Sequence, residues 1–257
     1  MMQSYSNINI KRILGEGYST NHSLLWSVKK NMDKCLYLND EKIIFELRKC
    51  ALQLEEGIKD IENKEKPVIL APMHMVSDVL VSVMCGFISS KETLVISTHK
   101  DDLLGINEEQ SLNNMGVNLK KIDPAEINTG SLRTVIRSVK TQETYLVIFP
   151  DAPPEVTLSL TGKSMRTMDC TLFGKPARLH SGLKELARLC NAQVIFFGLS
   201  HQGNALSLTV FGVADAKELS YRTPYFIEKA LRAHSKDWLL WYTPSFFYFN
   251  DKSNANE

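Results

Sequence analysis

His74 and Asp78 lie four positions apart in Ala71-Pro-Met-His74-Met-Val-Ser77-Asp78. On a helix that step leaves two side chains about 40° apart round the axis and within reach of each other. A carboxylate so placed fixes the imidazole tautomer, raises its basicity and stabilises the imidazolium formed when it takes a proton from a nucleophile. The same residues have a plainer reading, in which Ser77 or Asp78 caps a helix beginning near Val79 and His74 fills a loop. A second acid, Asp151, follows an apolar run and precedes Pro153 and Pro154, which stiffen the loop; an ordinary turn aspartate is the alternative. Lys163, Arg166, Lys175 and Arg178 surround Gly162 and Gly174 ahead of a helix, a setting suited to phosphate, although basic loops are commonly just solvated.

Other chemistries find less support. Gly15-Glu16-Gly17 followed by Lys29 superficially resembles a kinase glycine loop and its lysine, but no H-R-D or D-F-G string follows. The six histidines show no H-E-x-x-H spacing and the cysteines no C-x-x-C pair, so no metal is expected. Cys85, in an apolar helical stretch, reads as a buried small hydrophobe rather than a nucleophile.

The elements that must position these groups follow from hydrophobic patterning. Residues 39–64 carry Ile43, Ile44, Leu47, Cys50, Ala51, Leu54 and Ile58 at helical spacing, with Asp40 as cap. Short apolar runs at 67–72, 93–97, 145–149 and 193–197 predict buried parallel strands, and 206–211 one with alternation. Helices are expected at 79–87, 131–140, 177–190 and 224–233. Strands alternating with helices imply an α/β fold: a single domain with a mixed, mostly parallel sheet flanked by helices, plus a helical N-terminal lead-in over residues 1–66 ahead of a core over 67–257. Ligands in such folds sit beyond the carboxyl ends of the strands, where both His74 and Asp151 fall.

Composition sets the outer bounds. The chain has 257 residues, 44% of them hydrophobic, with 13 glycines and 9 prolines spread along it, which excludes disorder and low-complexity arrays. Thirty basic against twenty-nine acidic residues give a formal charge of +1, removing the global electrostatic argument for nucleic acid. Five cysteines, an odd number without close pairs, favour reduced buried thiols. The first twenty residues lack the apolar core of a signal peptide, and no run reaches the ~18 residues of a spanning helix. A cytoplasmic location is expected, with peripheral contact at the inner face of the membrane open. Residues 238–249 gather seven aromatics, read first as core packing and secondly as an interfacial or acyl-pocket surface.

Taken together, these pieces resemble the lysophospholipid acyltransferase superfamily, and within it the lauroyl/myristoyl acyltransferases of lipid A biosynthesis, over residues 68–241. The most specific part is Leu172-Phe-Gly-Lys-Pro-Ala-Arg178 followed by the segment 181–194, similar to that family's strand, Gly-x-Pro turn, helix and next strand. Phe149-Pro150-Asp151 is similar to its acidic third block, and 234–241, with tryptophans three apart, to its closing helix. The family's signature separates histidine and acid by four residues; here three separate His74 from Asp78. The resemblance then implies either that Asp78 fills the same role in a loop one residue shorter, which the adequate four-residue step favours, or that the acid is lost and the chemistry impaired or altered. The membrane-anchoring N-terminal helix usual in the lipid A enzymes has no counterpart in the polar residues 1–38.

The resemblance implies an acyltransferase that moves a fatty acyl group from a thioester, on acyl carrier protein or coenzyme A, to a hydroxyl or amine of a lipid or small-molecule acceptor. No cofactor is expected beyond that donor. His74 is then the general base and Asp78 its orienting partner. Asp151 positions the acceptor, and Lys163, Arg166, Lys175 and Arg178 bind the phosphopantetheine or an acceptor phosphate. The alternatives are a non-catalytic relative that binds acyl chains or a carrier protein, and a thioesterase that uses water.

Overall fold

Uncharged, β-branched runs bounded by prolines or charges are driven into a sheet covered on both faces, because neither side of such a strand tolerates water. The computed structural model describes residues 2–62, 65–89, 91–97, 112, 115–124, 126–203, 205–243 and 247. The lead-in forms three helices, α1 (Met2–Leu14), α2 (His22–Tyr37) and α3 (Glu41–Glu62). There follow β1 (Val68–Pro72), α4 (Asp78–Gly86), β2 (Glu92–Ile96), β3 (Leu119–Ile122), α5 (Thr129–Lys140), β4 (Thr144–Ile148) and α6 (Pro154–Thr161). The chain continues through β5 (Thr167–Leu172), β6 (Lys175–His180), α7 (Gly182–Cys190), β7 (Gln193–Gln202), β8 (Ala205–Asp215) and α8 (Leu219–Ala233), and a 3-10 turn spans Leu239–Tyr242.

Six strands form one sheet in the order β3-β2-β4-β1-β7-β8, parallel except for the antiparallel edge strand β8; β5 and β6 make a separate hairpin. The expected mixed, mostly parallel α/β sheet flanked by helices is what the chain adopts. Alternate residues of a strand feed opposite cores. Ile69 and Ala71 of β1, with Val194 and Phe196 of β7, pack with residues of α5, α7 and α8. Leu70, Ile195 and Phe197 pack instead with Leu47, Leu54 and Ile58 of α3 and with α4. The long lead-in helix α3 thus covers one face of the sheet, and Asp40 caps it, its Oδ1 accepting the Ile43 N–H at 3.0 Å.

Several elements depart from expectation, α6 and β5 among them, for which neither helix nor strand was expected. Strand β3, Leu-Lys-Lys-Ile, is a short edge strand whose two exposed lysines break any apolar run. The expected helix at 177–190 starts only at Gly182, because Phe173 and Gly174 both take positive φ (50° and 76°) and turn the chain back as a two-residue hairpin. The segment 234–241 is not a closing helix: it runs extended at Trp238, which bridges Met75, before the 3-10 turn. Of the aromatic-rich stretch, Phe246, Tyr248 and Phe249 lie outside the described residues.

Candidate active site

His74 does not lie on a helix. Helix α4 begins at Asp78, with Ser77 as its cap (Oγ accepting the Leu80 N–H at 3.2 Å), so His74 sits in the turn between β1 and α4. The turn is tightly tied. Met73 N donates to Phe197 O, Val76 N to Asp237 O, and Leu239 N to His74 O, each at 2.9 Å. Val76 is held at φ 60°, a left-handed conformation that a β-branched residue avoids unless its surroundings enforce it. The antiparallel bridge between Met75 and Trp238 completes the strap from the C-terminal segment.

The acid that meets the imidazole is Asp151, brought alongside by the loop that follows the neighbouring strand β4. His74 Nδ1 lies 2.8 Å from Asp151 Oδ1, and the His74 backbone N–H donates to Oδ2 at 2.8 Å. The Trp238 indole Nε1–H donates to the same Oδ2 at 2.6 Å. Asp151 is completely buried, so its charge is stabilised by these donors and not by water. The Phe149 ring packs on the imidazole, with centroids 4.4 Å apart. Burial disfavours the charged imidazole, but attraction to Asp151, the hydrogen bond to it and the further pull of Asp78 outweigh that and the opposing Lys29, leaving the His74 pKa raised. With Nδ1–H given to Asp151, Nε2 is the nitrogen that can accept a proton.

Two site expectations are corrected by this geometry. Asp78 is not the partner of Nδ1; its carboxylate faces the Lys29 ammonium of α2 at 2.9 Å, because the chain enters α4 only at Asp78 and the helical step from His74 never forms. Asp151 is not placed to hold an acceptor: with no exposed surface and both oxygens engaged, it serves the imidazole instead.

The four cations fall on the β5–β6 hairpin and its approach. Lys163 follows the left-handed Gly162 that ends α6 and is exposed, while Arg166 is largely exposed with Glu185 at 3.9 Å. Lys175 opens β6, and Arg178 meets Asp169 at 3.1 Å. One route links this hairpin to the histidine. Arg178 N donates to Phe247 O at 3.0 Å, and the Phe247 ring stacks on Trp238 with centroids 6.0 Å apart.

Trp238, Lys29 and Asp33 are site residues that sequence patterning passed over. Trp238 had its tryptophan spacing as a signal, but the need of its indole N–H for an acid did not single out Asp151. Lys29 had a clearer mark: it occupies the buried stripe Leu25, Lys29, Met32, Leu36 of α2, where a charge must find a partner. Among the described residues no three His, Cys, Asp or Glu side chains converge as a metal site requires. No helix among them is long and apolar enough to cross a membrane. No family model matches the chain, and no curated protein is significantly similar to it.

Proposed function

We propose that the protein is an acyltransferase that moves an acyl group from a thioester to a hydroxyl or amine acceptor, with His74 as general base and Asp151 as its orienting acid. The observation that carries this reading is the 2.8 Å contact between His74 Nδ1 and a wholly buried Asp151. Such a dyad holds one tautomer and keeps Nε2 ready for a proton. The acceptor O–H or N–H gives its proton to Nε2 while the acceptor atom attacks the thioester carbonyl. The tetrahedral adduct then collapses, the C–S bond breaks, and the imidazolium returns the proton to the departing sulfur. The resemblance over residues 68–241 supports the same reaction class, and the cations of the hairpin suit the phosphates of a pantetheine-bearing donor.

The test is incubation with acyl-coenzyme A or acyl carrier protein and a panel of hydroxyl and amine acceptors, with products read by mass spectrometry. Transfer by the wild type and its loss in His74→Ala is expected. Release of free acid alone would replace transferase by thioesterase, and bound acyl chains with no turnover on any acceptor would overturn the catalytic reading. Because the base must be neutral and its pKa is raised, the rate is expected to climb with pH through a midpoint above the ordinary histidine value of 6.5.

A further inference from the structure

Helix α2 lies outside the stretch that resembles a known family, yet it drives a lysine against the turn that carries His74. Lys29 Nζ sits 2.8 Å from Asp33 Oδ2 and 2.9 Å from Asp78 Oδ1. Ser77 Oγ donates to the other Asp33 oxygen at 2.5 Å. Lys29 is 7% exposed, Asp33 8%, Asp78 6% and Ser77 0%, so one cation and two carboxylates are closed off from water. An apolar contact of the same volume often holds helices together at least as well, so stability alone does not account for this buried group of charges.

We propose that Lys29 and Asp78 are positioning residues through which α2 completes the site: their buried pair anchors the turn of residues 74–78 that presents His74. This rests on His74 being the working base, but the charge coupling is measurable without turnover. Around the imidazole and this pair stand Asp151 after β4, in contact with His74, Asp33 on α2, in contact with Lys29, and Tyr242 on the 3-10 turn, which feels the Asp78 charge. Asp237, whose carboxyl burial pushes up to about 6, sits in the strap beside the turn. Asp78 favours the imidazolium and Lys29 disfavours it. Tyr242 is held protonated by burial and by the Asp78 charge, so it adds no charge of its own.

The experiment is an NMR pH titration of the His74 ring in the full chain, assigned with His74→Gln. In Asp78→Asn the imidazole loses a favourable carboxylate while Lys29 stays, so its midpoint is expected to fall below that of the wild type. In Lys29→Met/Asp78→Asn the repelling ammonium is gone too, and the midpoint is expected to climb back. Lys29→Arg keeps the charge and is expected to leave it close to the wild-type value. Midpoints that do not move in either neutralised variant, or that rise in Asp78→Asn, overturn the proposal. Should those variants not fold, reductive methylation of the wild type decides: Lys29 is expected to react roughly a hundredfold more slowly than surface lysines, as a group exposed only by local opening does. An equal rate overturns the buried anchor. A titration that moves as expected in a protein that transfers no acyl group leaves the coupling standing and removes only the acyltransferase reading.

Discussion

At the scale of single residues, Asp151 concentrates the energetics of the site. It accepts a backbone N–H, an imidazole N–H and an indole N–H while wholly buried. Asp151→Ala strands three donors, each costing about 1–3 kcal/mol when left unsatisfied, so chemical denaturation should show a loss of several kcal/mol. The His74 pKa is raised in the folded protein, so the pair's protonic contribution to stability is fully present below the unfolded value near 6.5 and fades as pH climbs through the folded value. The destabilisation caused by Asp151→Asn should therefore be larger at pH 5.5 than at pH 9; an equal cost at both would remove the ionic part of the interaction. Trp238→Phe keeps the ring stacked on Phe247 but deletes the N–H at 2.6 Å, and a smaller loss of about 1–3 kcal/mol is expected.

At the scale of elements, the strands were legible because burial on both faces writes itself as an unbroken apolar run: β1, β2 and β4 begin and end within one residue of their patterns, and β7 begins on its own. What was not legible is pairing across distant segments. His74 and Asp151 are 77 positions apart and meet only because β1 and β4 are parallel neighbours, with Leu70 beside Val147. The four-residue step to Asp78 was a local signal, and it misled because Ser77 starts the helix after the histidine. The hairpin hid for a similar reason: Lys-Pro-Ala-Arg-Leu-His has too little apolar content to read as a strand, and only the left-handed pair Phe173-Gly174 fixes it. Close packing between elements gives its own test. A Cβ on Gly212 of β8 would lie 2.4 Å from Phe226 Cε1 of α8, whose ring packs on Phe196. Gly212→Ala should cost about 1–3 kcal/mol in urea unfolding, since a core ring cannot yield without repacking.

At the scale of the whole molecule, the two ends of the described chain close on each other around the site. The Asn9 side-chain amide of α1 donates to Trp241 O and Thr243 O, each at 2.7 Å, and α2 brings His22 and Trp26 against Tyr242. Asn9→Ala leaves two buried carbonyls short of a donor, and a loss of about 2 kcal/mol is expected, read as a lowering of Tm by several degrees. The strap that Asn9 secures also carries Trp238, which reaches Asp151, so distant contacts and the His74–Asp151 pair belong to one cooperative structure. The most direct measurement is the pH profile of kcat/KM for acyl transfer from a thioester, compared between the wild type and Asp151→Asn with its fold verified. The account predicts that the variant falls roughly a hundredfold or more, with its remaining rate no longer governed by a midpoint above 6.5. An Asp151→Asn protein with the wild-type rate and the wild-type profile would contradict it.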